Sequence, residues 1–245
     1  MLSVKPWRPL TVLQFCGALL FCICLGALLS GLLQKLGLGG FQQPDDFGNL
    51  VLGTFTFQGV ACGMVFVFWR RHQIGWRDGF GFSGPQLQRA LRLAGLFFLV
   101  ALPTVWALQA ACVFTLTRLG FPPDDQAAVK LIDSARSWWV RAYLGVFAVV
   151  LAPVAEEFIF RGLLYPLIKQ LGWPRLALFG VSALFALIHF DAATFLPLLL
   201  LALLLTRLYE KTDNLLAPIA VHALFNASNL ALLALNHFYP EPKLP

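Results

Sequence analysis

The sequence has few charged residues for its length. Only 12% of its 245 residues are Asp, Glu, Lys or Arg, whereas a soluble globular domain carries about 25%. Hydrophobic residues make up 59% of the chain. They gather in runs of about 20, the length that a helix needs to cross roughly 30 Å of hydrocarbon. The composition argues against a soluble enzyme and predicts an integral membrane protein in a lipid bilayer.

Cysteine is also scarce, and none of the five cysteines has the C-x-x-C spacing of a metal or redox site. All five lie in apolar runs, which predicts buried structural thiols. The net charge of +6 comes mainly from Lys and Arg in predicted loops, where the positive-inside rule accounts for it. No nucleic-acid partner is therefore predicted.

The apolar runs predict an all-α fold, a polytopic membrane bundle of seven or eight transmembrane helices in one domain, residues 1–245. Pro153 is expected to end or bend a helix. Eight helices, with a split at Pro153, are favoured because one continuous helix there is expected to put Glu156 and His189 at opposite membrane faces. A basic loop at 70–92 predicts that the N-terminus is cytoplasmic. The predicted helices cover residues 10–33, 47–69, 90–117, 139–154, 155–171, 175–189, 194–209 and 215–235.

Two adjacent acids lie in one of these apolar stretches. A charged side chain at the bilayer centre costs about 2.5 to 3.5 kcal/mol on insertion scales, so Glu156 and Glu157 require a partner or a function. Residues four apart share a helix face, which pairs Glu157 with Arg161 and leaves Glu156 without a partner on its own helix. An unpaired buried carboxylate suits a general base.

Three further residues are predicted to join Glu156. At 1.5 Å per residue, Glu156 lies about 24 Å before the turn at 172–174 and His189 about 22 Å after it, so an antiparallel hairpin brings them to one depth. His222 and Asn226 share a face of the last helix. Water activated by Glu156 and His189 could then attack a peptide carbonyl, with His222 and Asn226 stabilising the oxyanion.

The chain resembles the CPBP intramembrane proteases, a family that includes the type II CAAX prenyl endopeptidase. The family has the motifs Glu-Glu-x-x-x-Arg, Phe-x-x-x-His and His-x-x-x-(Asn or Asp) in that order. The resemblance covers roughly residues 143–235. The matching positions are Glu156, Glu157, Arg161, Phe185, His189, His222 and Asn226.

The resemblance implies that residues 139–245 form a catalytic core and that residues 1–138 supply three N-terminal helices with their loops. It implies Glu156 and His189 as the pair that activates water, and His222 and Asn226 as oxyanion stabilisers. Glu157, Arg161 and Phe185 are implied as structural support.

Two questions stay open at this stage. Glu156, His189 and His222 could be three ligands of a zinc ion with an open position, but the family is also described as a metal-free glutamate protease. The expected substrate is a peptide or membrane protein, and a bacterial inner membrane is the expected location. The alternative function is a non-cleaving scaffold or immunity factor, or a proton-coupled transporter, that uses the same polar cluster.

Overall fold

The computed structural model describes residues 2–43, 46–73, 75, 80–81, 84–123 and 137–238. These residues contain seven helices and no strand, and six of the helices are long and apolar enough to cross a membrane. The predicted polytopic helical bundle is confirmed. The helices are α1 (Pro9–Lys35), α2 (Phe47–Arg71), α3 (Gly84–Arg118), α4 (Trp138–Gln170), α5 (Pro174–Leu187), α6 (Ala192–Thr212) and α7 (Leu216–Phe238).

The predicted helix break at Pro153 is wrong. Helix α4 runs through Pro153 without interruption for 33 residues, which gives seven helices in the described ranges and removes the preference for eight. Two π-helical stretches, Phe147–Leu151 and Phe158–Leu164, flank the short α-helical turn Ala152–Glu157. Proline is tolerated inside membrane helices where such local adjustments and neighbouring side chains satisfy the backbone groups that it frees.

Continuity of α4 does not separate Glu156 from His189, because the next helix is short. Helix α5 has 14 residues, about 21 Å at 1.5 Å per residue, and cannot cross roughly 30 Å of hydrocarbon. It begins after a turn at Gly172, whose φ of +91° favours glycine, and it ends just before His189. The Asp191 carboxylate then caps α6 by accepting a hydrogen bond from the Ala193 N–H.

Helices α4 and α6 run in the same direction, because successive turns of α4 contact successive turns of α6. Arg161 contacts Thr206, and one turn later Tyr165 donates a hydrogen bond to Glu210. Helix α7 runs the opposite way along α4. One buried cluster of the bundle is formed by residues of α1, α2, α4, α5 and α6, and a second by residues of α3, α6 and α7. Helix α5 is a half-length helix that packs on both α4 and α6.

The N-terminal segment packs on the end of the bundle where α4 and α6 finish. Lys5 forms an ion pair with Asp213 at 2.7 Å, and its backbone N–H and C=O both bond to the side chain of Gln170. Close by, the Leu215 N–H donates to the Phe80 carbonyl at 2.9 Å. The described part of the predicted basic loop thus lies at this end; residues 74, 76–79, 82–83 and 124–136 lie outside the described ranges.

Candidate active site

Helix α4 presents its two glutamates to different surroundings. The Glu157 side chain is completely buried, whereas that of Glu156 keeps 12% of its surface accessible. This difference follows from helix geometry, since consecutive residues point about 100° apart. Glu157 therefore faces the protein interior, and Glu156 lies at its margin, where a small reactant can reach it.

Glu157 connects Arg161 and His222 through one oxygen atom. Its Oε1 accepts a hydrogen bond from Arg161 Nη1 at 2.9 Å and another from His222 Nδ1 at 2.9 Å. The predicted Glu157–Arg161 pair is thus present, and the structure adds His222 to it. Arg161 is itself held by α6, because its Nη2 donates to the Ala202 carbonyl at 3.0 Å and its Nε to Thr206 Oγ1 at 3.4 Å.

Phe185 of α5 lies at the centre of the cluster. The Arg161 guanidinium carbon is 4.7 Å from the centre of its ring, which is within range of a cation–π interaction. The His189 and His222 rings lie 5.0 and 5.7 Å from it. Phe185 therefore brings α4, α5 and α7 together and holds both histidines near one point.

His222 is oriented by its bond to Glu157. Because a carboxylate only accepts hydrogen bonds, Nδ1 carries the proton and Nε2 is directed to the other side of the ring. There, Nε2 lies 3.8 Å from Glu156 Oε2, too far for a direct hydrogen bond. The distance leaves Glu156 and His222 close enough to act on the same reactant.

His189 is more accessible than His222. It follows the end of α5, is exposed, and donates from Nδ1 to the Phe185 carbonyl at 2.8 Å. Its Nε2 is therefore the ring nitrogen that remains available for chemistry. Glu156 lies within electrostatic range of both His189 and His222. Both histidine rings pack on Phe185, which brings the end of α5 close to α7.

Asn226 lies one turn after His222 on α7. Its Nδ2 donates to the Ala148 carbonyl of α4 at 2.8 Å. A carboxamide nitrogen carries two hydrogens, so this bond uses one and leaves the other for a reactant. The bond links α7 to α4 at the level of the first π-helical stretch.

Sequence reasoning missed the partners that belong to no charged motif. Thr206 and the Ala202 carbonyl, which hold Arg161, lie in a continuous apolar run of α6. Trp7 donates from Nε1 to the Gly162 carbonyl of α4 at 2.8 Å, although the two residues are 155 positions apart in the sequence. The one available signal was a threonine among leucines in α6, since a polar residue in a buried membrane helix needs a partner.

The possible zinc ligands are Glu156, His189 and His222. Among the described residues, no three His, Cys, Asp or Glu side chains are arranged to hold a metal ion. His222 donates from Nδ1 to Glu157, and its Nε2 lies 3.8 Å from Glu156. A metal-binding histidine commonly donates its other ring N–H to a carboxylate in this way, but the described residues form no three-ligand zinc site, and no chemical step is derived through a metal.

Comparison with known proteins agrees with the motifs. Residues 137–228 match the family model described as "Type II CAAX prenyl endopeptidase Rce1-like", which confirms the predicted resemblance. The match covers α4, α5, α6 and the first half of α7, the segment that holds the whole cluster. No curated protein and no solved structure matches the chain. The apolar helices support an integral multi-pass membrane protein, and residues 137–228 resemble this protease family.

Proposed function

We propose that the chain is an intramembrane endopeptidase in which Glu156 removes a proton from water and the histidines and Asn226 complete the site. The observation that carries the proposal is the approach of Glu156 to His222 at 3.8 Å, beside a fully buried Glu157–Arg161 pair. A packing role for Glu156 alone does not require a second titratable group at this distance. A hydrolytic role requires one.

The charges of the cluster supply one mobile proton. Glu156 and Glu157 carry two negative charges and Arg161 one positive charge, so one further proton makes the buried cluster neutral. Burial disfavours net charge, which keeps that proton on Glu156 or His222. With the proton on His222, Glu156 is an ionised base and the His222 Nε2–H is a donor. Both groups then have the protonation state that hydrolysis needs.

The reaction follows from these states. A water molecule held by Glu156 and His189 attacks the peptide carbonyl carbon while Glu156 takes its proton. The new C–O bond converts the carbonyl oxygen to an oxyanion, which His222 Nε2–H and the second Asn226 N–H stabilise. Glu156 then returns the proton to the amide nitrogen as the C–N bond breaks. The oxyanion re-forms the C=O bond as the amine leaves, which gives a carboxylic acid and an amine and returns the site to its starting charge. In water the two products then exchange a proton and become a carboxylate and an ammonium group.

The substrate is a peptide or membrane protein whose scissile bond enters the bilayer. Glu157 lies 13 positions before the last residue of α4, about 20 Å from that end of the helix. The same end carries the basic residues Lys5, Arg8, Lys169, Arg175 and Lys211. The positive-inside rule therefore supports a cytoplasmic N-terminus, and the short chain and loops suit a bacterial inner membrane.

The test compares purified wild type with Glu156→Gln in detergent, on a quenched peptide library. Gln keeps the shape of the side chain but cannot act as a base, so cleavage should fall by at least about 10²-fold, the lower range for loss of general-base catalysis. The matched control is Glu210→Gln on α6. Glu210 pairs with Lys169 and Tyr165 outside the cluster, and its substitution should leave cleavage within about twofold.

Equal cleavage by Glu156→Gln and wild type would contradict the proposed base. No cleavage by wild type on any peptide would favour the scaffold or proton-coupled reading, which uses the same cluster without hydrolysis. Chelator addition and measurement of bound zinc form a separate arm. Retained cleavage in chelator, with no stoichiometric zinc, is the expected result for the glutamate-type site proposed here.

A further inference from the structure

Helix α4 contains two prolines, and they bracket the acidic pair. Pro153 precedes Glu156 by three residues, and Pro166 follows Arg161 by five. A proline has no N–H, so the carbonyl one helical turn before it loses its normal partner. In a membrane interior, a carbonyl left without a donor is costly, because no bulk water replaces the missing bond.

At Pro153 the missing donor is replaced from α7. The Ala152 N–H bonds to the Phe147 carbonyl five residues earlier, the spacing of a π-helix. The next bond in this pattern would join residue 153 to Ala148, but Pro153 has no N–H to donate. The Ala148 carbonyl accepts instead from Asn226 Nδ2 at 2.8 Å.

At Pro166 the missing donor is replaced from the N-terminal segment. The Tyr165 N–H bonds to the Phe160 carbonyl five residues earlier. The N–H that Pro166 lacks would therefore pair the Arg161 carbonyl in π-helical spacing or the Gly162 carbonyl in the α-helical spacing that follows. Trp7 Nε1 donates to the Gly162 carbonyl at 2.8 Å in buried surroundings. Trp7 is 5% exposed, and its ring packs against Phe68 and Phe80 at 5.0 and 5.7 Å, which holds the donor in place.

We propose that Trp7 is a positioning residue of the active site, because it supplies the hydrogen bond that Pro166 removes. Trp7 is not assigned contact with the reactant. It acts on the π-helical stretch Phe158–Leu164, which contains Arg161 and directly follows Glu157. By donating a hydrogen bond to the Gly162 carbonyl, Trp7 holds the neighbouring Arg161 in position. Arg161 in turn holds Glu157, which orients His222. This inference rests on the proposed function for its effect on catalysis.

The hydrogen bond from Asn226 to the Ala148 carbonyl plays the same part on the other side of the acidic pair: a side chain pairs a carbonyl that a proline leaves without its donor. It shows that the pairing of a proline-freed carbonyl by a distant side chain occurs twice in α4. The two donors come from opposite ends of the chain. A single helix thus obtains its backbone partners from the first residues of the protein and from its last helix.

A double-mutant cycle separates positioning from ordinary packing. Trp7→Phe keeps an aromatic ring and removes the donor, while Pro166→Ala returns an N–H one turn after Gly162. Trp7→Phe alone should speed amide hydrogen exchange in residues 158–170 roughly tenfold and lower kcat by a similar factor with KM unchanged. In the Pro166→Ala background, the same change should alter both quantities by less than about twofold, because the restored N–H pairs the carbonyl.

Two controls frame the cycle. Trp173→Phe removes an indole from an exposed residue in the turn between α4 and α5 and should change neither quantity. Pro103→Ala replaces a proline of α3, away from Gly162, and should restore neither the hydrogen-exchange rate nor the kcat that Trp7→Phe changes. The inference would be overturned if Trp7→Phe changed hydrogen exchange and kcat equally in wild type and in the Pro166→Ala background. It would also be overturned if Trp7→Phe had no larger effect on these quantities than Trp173→Phe.

Hydrogen exchange makes the outcome independent of cleavage. If wild type cleaves no peptide, the exchange cycle still shows whether Trp7 replaces the donor that Pro166 lacks, and only the proposed function fails. If Glu156→Gln abolishes cleavage but the cycle is additive, the proposed function stands and the positioning role is wrong.

Discussion

Helices α1–α3 differ from helices α4–α7 in how much of their apolar surface is buried inside the protein. In α1, α2 and α3, only 22%, 11% and 11% of the apolar stretch is buried in the protein, whereas the values for α4, α6 and α7 are 50%, 50% and 28%. The stretches of the first group are mainly exposed on the outside of the bundle, whereas half of each stretch in α4 and α6 is buried; α7 lies between the two. Charged side chains are stable only where protein replaces hydrocarbon, and this is where the acidic pair lies.

The hydrogen bonds of the two regions differ in the same way. Polar side chains in α2 and α3 mostly bond to carbonyls of their own helix, as Thr54, Thr104 and Thr115 do four residues back. In the second region, the bonds of Arg161 and His222 cross between helices. A local bond satisfies one side chain, but a bond between helices also sets how the helices lie relative to each other, which a catalytic site requires.

The largest predicted difference concerns a buried arginine against an exposed one. Arg161→Met removes the cation beside the completely buried Glu157 carboxylate, and the protein should lose about 3 to 5 kcal/mol of stability. Arg92→Met in α3 should change stability by less than about 0.5 kcal/mol, since Arg92 is exposed. The measurement is unfolding of the purified protein in detergent, followed by circular dichroism during titration with SDS.

The double variant Glu157→Gln with Arg161→Met sharpens this comparison. It removes both charges together, so it should be more stable than Arg161→Met alone. A double variant that is less stable than the single one would show that the guanidinium stabilises the core through Ala202, Thr206 and Phe185 and that its charge is secondary.

A smaller difference is predicted for two glycines. Gly81 has φ of +77°, and a Cβ placed there would lie 1.8 Å from the Asp213 carbonyl oxygen, so Gly81→Ala should cost at least about 2 kcal/mol. Gly95 in α3 has open space around it, and Gly95→Ala should stabilise its helix by about 0.5 to 1 kcal/mol. Opposite signs in the same SDS titration are expected. Equal effects would contradict the close approach of Gly81 to the turn between α6 and α7.

The smallest difference is predicted for two lysines at the ends of the N-terminal region. Lys5 is buried and paired with the partly exposed Asp213, so Lys5→Met should cost about 1 kcal/mol after allowance for solvent screening. Lys35 at the end of α1 is exposed, and Lys35→Met should have no measurable effect. The measurement is thermal unfolding in 0.05 and 1 M salt. Because the ion pair holds the N-terminal segment on the core, Lys5→Met should lower the unfolding temperature more than Lys35→Met, and more clearly in 0.05 M salt, where charges are less screened.

Sequence reasoning predicted two side-chain contacts of the cluster better than it predicted the helix that carries them. The pairing of Glu157 with Arg161 follows from helical spacing alone, and the packing of Phe185 on His189 has the same local origin. The end of a helix at Pro153 was wrong because a proline removes one hydrogen bond but does not decide whether the neighbours replace it. Here Asn226 of α7 provides the replacement hydrogen bond, and no sequence pattern near Pro153 predicts it.

By itself, the sequence determined that this protein is a helical membrane bundle and which titratable residues lie in it. Backbone groups in hydrocarbon must be hydrogen-bonded within the protein, which favours helices, and the spacing of charges along a helix depends only on residue number. Only the tertiary structure decided that His222 bonds to Glu157 and approaches Glu156, and that Trp7 and Asn226 complete α4. Those contacts depend on the relative depth and rotation of separate helices, which are set by side-chain packing across the whole bundle.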